Sequence, residues 1–160
     1  MLALAKRIGD RFVEGYSFEF KGQAYEGAGE FKKAEENFKK ALEIRKELDI
    51  NEIMFLNYAR LTLNAHLQGK TDQALMYIDE IEKVFEKGNV NNVRILQTAW
   101  FNVFQALENV DFERAISYLK KAAELLTTQS AKIKEPEIKQ SFLENVEEHR
   151  LIMVAKERYL

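Results

Sequence analysis

The sequence predicts an all-α fold built from three long helical hairpins, and three observations carry that reading. Pro occurs once and Gly 7 times in 160 residues, too few turn residues for a sheet protein and enough for long uninterrupted helices. A pattern recurs along the chain with a spacing of 40 and then 41 residues between its key alanines. Within each copy, apolar residues stand four and seven positions after that alanine, which is the spacing of one helix face.

The first copy is Gly29-Glu30-Phe31-Lys32-Lys33-Ala34 with Phe38 and Ala41. The second is Gly69-Lys70-Thr71-Asp72-Gln73-Ala74 with Ile78 and Ile81, and the third is Val110-Asp111-Phe112-Glu113-Arg114-Ala115 with Leu119 and Ala122. Each begins with a turn and continues into a helix whose alanine sits where two helices must touch closely. Upstream of the first turn, Phe18, Gly22 and Tyr25 form one stripe, and the missing side chain of Gly22 is expected to admit the neighbouring helix at Ala34. Helices are therefore predicted at 11–28 and 31–48, at 52–68 and 71–87, and at 91–109 and 112–130. The repeats run 11–50, 51–90 and 91–131 in a single domain, 1–160. Asp10, Asn51 and Thr71 are the expected N-caps, and Gly29, Gly69, Gly88 and Asn109 the expected left-handed stops. Glu35 with Lys39, Glu36 with Lys40 and Asp79 with Lys83 form i,i+4 pairs, each worth about 0.2–0.5 kcal/mol on a solvated face.

At the start, Leu2-Ala3-Leu4-Ala5-Lys6-Arg7-Ile8-Gly9-Asp10 runs in step with Leu42 to Ile50 one period later. The chain is thus expected to open inside the second helix of a preceding repeat. At the other end, Pro136 suits the first turn of one capping helix over about 135–158. Ile138, Phe142, Val146 and Met153 are its expected covering stripe over the third hairpin, since a terminal repeat must be closed. The run Leu151 to Val154, together with Leu2, Leu4 and Ile8, leaves apolar chain ends through which copies could associate.

Composition removes most chemistry. A formal net charge of −2 supplies no field for nucleic acid or an anionic membrane surface. No Cys is present, and His66 and His149 are too few for a histidine-built metal site or triad. His66 reads as an ordinary polar residue of an inner wall, and His149, between Glu148 and Arg150, as solvated helix surface or as part of the cap. Carboxylates recur with lysine partners in surface patterns, and Gly27-Ala28-Gly29 lacks the Lys-Ser or Lys-Thr of a phosphate loop. No catalytic, cofactor or metal residue is predicted, and the chain is not read as an enzyme. Charged residues interrupt Met1 to Val13, so it does not resemble a signal peptide, and no apolar run nears the ~20 residues of a membrane span. A cytoplasmic location is expected.

Phe18, Gly22, Tyr25, Gly29, Phe31, Ala34, Phe38 and Ala41 together resemble the signature of the tetratricopeptide repeat (TPR) family. The second and third units keep the alanines and carry Thr62 and Val103 at the place of Gly22. Their spacing exceeds the usual ~34 residues and resembles the long-helix variants of the family. Ser141 to Arg150 is similar to the segment that closes TPR arrays in large signal-transduction ATPases, nucleotide cyclases and transcriptional activators.

The resemblance implies a TPR-like right-handed superhelix with the first helix of each hairpin on its concave side. Projected onto that register, the wall consists of Tyr16, Glu19, Phe20 and Gln23, then Leu56, Arg60, Leu63 and His66, then Gln97, Trp100, Phe101 and Phe104. Glu19 and Gln23 stand where members that grip a terminal carboxylate carry Lys and Asn. The implied occupant is instead a protein or peptide, such as an amphipathic helix, or the chain's own last helix. The implied function is a non-enzymatic interaction scaffold, the C-terminal sensor or regulatory part of a larger signalling or transcription-regulating protein. The alternative is a peptide or small-ligand signal receptor that uses Arg60, Trp100, Phe101 and Phe104.

Overall fold

A computed structural model describes residues 2, 4, 7, 9–86 and 95–160, and among them there are helices and turns but no strand. The chain divides into two compact units, Met1–Val93 and Arg94–Leu160. In the first, α1 (Arg11–Gly27), α2 (Phe31–Glu47), α3 (Asn51–Leu67) and α4 (Thr71–Glu86) each pack against the next. In the second, α5 (Leu96–Leu107) pairs with α6 (Phe112–Ala131), and α7 (Pro136–Glu144) and α8 (Glu147–Tyr159) follow. The hairpins are those the repeat predicts, packed in adjacent pairs as in a TPR-like helical repeat. The predicted start at 91, the stop at Gly88, and Ile8 of the opening segment lie outside the described residues. Leu2, Leu4 and Arg7 are helical, and Leu2 packs against Phe18, Ala41 and Ile44.

The first three helices end in the same way. The N–H three residues beyond the helix reaches the carbonyl five residues back, Glu30 to Tyr25 at 2.8 Å, Ile50 to Arg45 at 3.1 Å and Lys70 to Ala65 at 2.9 Å. The residue between is left-handed each time: Gly29 at φ 75°, Asp49 at φ 52° and Gly69 at φ 70°. Asp49 was not expected there, although a short polar side chain tolerates that region better than most. Asn109 is not left-handed. The α5–α6 turn closes instead with the Val110 and Asp111 N–H groups both on the Leu107 carbonyl. Asp10 caps α1, accepting from the Val13 N–H at 2.9 Å, and Asp111 caps α6 through the Arg114 N–H at 3.1 Å. Asn51 and Thr71 are the first residues of their helices, with Ile50 the cap residue of α3.

Ala34, Ala74 and Ala115 are all buried, at 0%, 3% and 0% exposure. The Phe38 ring fills the notch at Gly22, since a Cβ on Gly22 would lie 2.5 Å from two of its carbons. The equivalent positions, sixteen residues apart in every hairpin, are Gly22 and Phe38, Thr62 and Ile78, Val103 and Leu119, and all six are buried. Where the first helix gains bulk the second loses it, which conserves volume in a close-packed interior.

Glu35 departs from the solvated-surface expectation. It accepts from Lys39 at 2.6 Å on its own helix, and from Gln68 at 3.0 Å, Lys70 at 2.7 Å and Gln73 at 3.2 Å on the following hairpin. Burial pushes its carboxyl up, but the hydrogen bonds from Lys39, Lys70 and Gln68 outweigh that and hold it at about 2. A depressed carboxyl contributes stability that is complete above the ordinary value near ~4.5 and is lost as the pH falls towards 2. Glu35→Gln is therefore expected to cost about 1–2 kcal/mol in urea unfolding at pH 7. The variant should also lose the fall in stability that the native chain shows between those two pH values. Lys83, in contrast, pairs with Glu80 at 2.7 Å, one residue off the predicted Asp79.

The segment expected to form one capping helix is two. Val146, extended at φ −90° and ψ 114°, ends the path of α7 and caps α8. α7 has no buried residue, with Ile138 58% exposed. The covering stripe is therefore His149, Ile152 and Ala155 of α8, at 7%, 0% and 8% exposure, and not Ile138, Phe142, Val146 and Met153. No helix among the described residues is long and apolar enough to cross a membrane.

Candidate functional site

In the first unit, Phe12, Tyr16 and Phe20 stand one turn apart on α1, so their rings form a row with centroids 5.1 and 6.1 Å apart. Tyr16 is half-buried, while Phe12 and Phe20 are 46% and 53% exposed. Gln23 continues the helix and is half-buried, as are Arg60, Leu63 and His66 on α3.

Beneath the aromatic row lies a charged seam. The Arg45 guanidinium, from α2, is fully buried, 4.2 Å from the Tyr16 ring centroid and 5.2 Å from that of Phe12. Its Nη1 donates to the Phe12 carbonyl at 3.1 Å, and its Nη2 lies 4.0 Å from Glu19. Gly15 makes the room, since a Cβ there would come within 2.7 Å of Nη1. Farther along, Arg60 of α3 meets Glu26 of α1 at 3.6 Å. Burial pushes the Glu19 and Glu26 carboxyls up, opposed by Arg45 and Arg60 at Glu19 and by Arg60 at Glu26. The seam balances two acids with two guanidinium groups, so it attracts neither a free cation nor a free anion.

Arg45 is absent from the sequence-derived wall because it sits in a charge-rich stretch that reads as solvated, and nothing in the stretch around Glu26 singles that carboxylate out. A signal for Arg45 was present. Ala34, Phe38, Ala41 and Arg45 are spaced by four, three and four residues, so Arg45 extends the buried stripe.

In the second unit, Gln97, Trp100, Phe101 and Phe104 are buried, at 3%, 4%, 5% and 2% exposure. Trp100 packs on Tyr118 of α6 at 5.4 Å, with the Lys121 ammonium 5.0 Å above its ring. Phe101 stacks with Phe104 at 5.5 Å, and Tyr159 of α8 covers Phe104 at 5.9 Å while its hydroxyl meets Glu108. Gln97 bonds to His149 of α8 at 3.2 Å. Of the two readings of His149 the structure takes capping over solvated surface: it is buried and hydrogen-bonded, because α8 turns that face onto α5. The chain's own last helix accordingly covers α5 at Gln97 and Phe104.

The first unit holds a second concavity of about 560 Å³ between α2 and α4, with Leu42, Tyr58, Met76 and Tyr77 as its apolar lining. Its lysines, Lys39, Lys46 and Lys83, are balanced by Glu43, Asp79 and Glu80, so it selects no charged ligand class.

Residues 17–48, the end of α1 with the whole of α2, match the family model of the tetratricopeptide repeat. The chain carries a tetratricopeptide repeat. No curated protein matches it. The TPR match spans the hairpin that contains Gly22, Phe38 and Arg45, and the two later hairpins keep its register of buried alanines. TPR hairpins are typically non-catalytic units of protein–protein interaction scaffolds.

Proposed function

We propose that this chain binds a protein partner on the α1 row, with Phe12, Tyr16 and Phe20 as its apolar contacts and Gln23, Arg60, Leu63 and His66 as the neighbouring residues of the first unit. The observation that carries this is the exposure of two large rings, 46% and 53%, on one face of one helix. Exposed apolar surface of that kind is costly in water unless something covers it. The partner that suits the row is an amphipathic helix with apolar side chains one turn apart. The similarity of Ser141 to Arg150 to segments that close TPR arrays in large regulatory proteins supports a place in the C-terminal part of a signalling or transcription-regulating protein.

The test is fluorescence anisotropy with a panel of labelled amphipathic helical peptides. At least one is expected to bind the native chain, and the Phe12→Ser/Phe20→Ser variant should lose about tenfold or more in affinity while keeping the native helical circular dichroism. A panel that is silent throughout, or a double variant that binds as the native chain does, would overturn the reading. Intrinsic fluorescence is a poor substitute, because Trp100 is only 4% exposed and lies in the other unit.

A further inference from the structure

We propose that the seating of α8 on α5 is a proton-sensitive latch, closed while the His149 imidazole is neutral and released when it takes up a second proton. The polarity of three hydrogen bonds carries the argument. Nδ1 of His149 lies 2.8 Å from the Phe142 carbonyl, which can only accept, so Nδ1 bears the hydrogen. In the neutral ring Nε2 is then a bare acceptor, and Nε2 of Gln97 donates to it at 3.2 Å. The Gln97 oxygen in turn accepts from Nε2 of Gln129 at 3.3 Å. One directed chain therefore runs from α6 through α5 and α8 to α7.

A proton on Nε2 points an N–H at the NH₂ of Gln97, donor against donor. Turning the Gln97 amide cures that clash but sets its NH₂ against the NH₂ of Gln129, so both amides must turn together. Even then an imidazolium remains in a site where His149 is 7% exposed.

The groups that meet the ring are neutral: the Gln97 amide from α5, with that of Gln129 from α6 behind it, and the ring and carbonyl of Phe142 from α7. Charged groups elsewhere on these helices are engaged or exposed. Glu108, the cap residue that follows α5, holds Tyr159, ten residues along α8 and about 15 Å away, and Lys120 and Glu124 of α6 line a cleft with Lys156 and Leu160 near that same end. Glu144 of α7 takes the Gln140 amide, and Lys139 is exposed. On α8 itself Glu147, Glu148 and Arg150 are exposed, and His149 stands third from the helix N-terminus, whose dipole disfavours a cation.

The second proton finds a bonding place only in the open state, so seating is favoured at high pH and lost as the pH falls. Opening bares Gln97, one of the wall residues, and uncovers that end of α5.

Hydrogen exchange of the full chain at pH 7.5 and 5.5, corrected for intrinsic rates, reads seating alone and needs no partner. Protection at Ile152 to Ala155 is expected to fall about tenfold or more at the lower pH, and His66→Gln should leave that fall intact. In His149→Gln the fall should disappear. Should that variant fail to seat at all, ¹⁵N spectra of the native imidazole decide, with the Nδ1–H tautomer expected at pH 7.5. Equal protection at both pH values, a fall that persists in His149→Gln, or the Nε2–H tautomer would overturn the latch.

Discussion

Gly22→Ala is expected to lower the unfolding free energy by about 2–3 kcal/mol, an overpacking cost at the upper end of the usual range. The added methyl would sit 2.5 Å from two carbons of the Phe38 ring, and Phe38 is fully buried, so the ring has no free space into which to turn. Phe38→Leu alone opens a void and is expected to cost about 1–2 kcal/mol. The double variant Gly22→Ala/Phe38→Leu should regain at least half of the loss from Gly22→Ala, because it reproduces the division of bulk seen at Thr62 with Ile78 and at Val103 with Leu119. Urea unfolding followed by circular dichroism measures all three. A Gly22→Ala variant within experimental error of the native chain would refute the tight notch.

The second large effect is expected at Arg45. Arg45→Ala should destabilise by about 3–5 kcal/mol, the range for removing one partner of a buried charge pair. It abolishes the stack on Tyr16 and the bond to the Phe12 carbonyl, and it leaves Glu19, only 7% exposed, without that cation. A pH signature separates the charge from the lost volume. A carboxyl raised by burial contributes stability that is present below its ordinary value near ~4.5 and is lost as the pH rises through its folded value. Arg45 pulls Glu19 down, so its removal raises that carboxyl further. The deficit of Arg45→Ala relative to the native chain should then be smaller at pH 5 than at pH 7.5. Adding Glu19→Gln should remove that difference. An equal deficit at both pH values would mean that the loss is one of packing alone.

These two positions show what the sequence made legible. Gly22 was readable as a notch because glycine inside a helical stripe has few other uses, yet the Phe38 ring was not foreseen as its nearest neighbour. Spacing along one helix fixes which residues share a face, but not which residue of the facing helix arrives opposite. Arg45 was missed for a different reason. Charge within Glu43 to Glu47 dominated the reading, although phase alone placed Arg45 on the buried stripe. The break before α8 left no trace at all. Ile138, Phe142, His149, Ile152 and Tyr159 fit a single uninterrupted helical period, and neither Gly nor Pro marks Asn145 or Val146. Such a break is decided by how α7 and α8 meet their neighbours, with His149 and Ile152 drawn onto the α5–α6 pair and α7 left without a buried residue. Of the candidate wall, helix membership was predictable throughout. Which members face solvent and which are covered depended on tertiary packing.

The reciprocal bulk at positions 22 and 38 bears on how such arrays can be recombined. A chimera that splices α1 to α4 would set Gly22 across from Ile78 and leave a hole, whereas one that joins α3 to α2 would drive Thr62 into the Phe38 ring. The transplantable module is the intact hairpin, and a crossover point belongs in the turn that follows α2, not in the turn inside a pair.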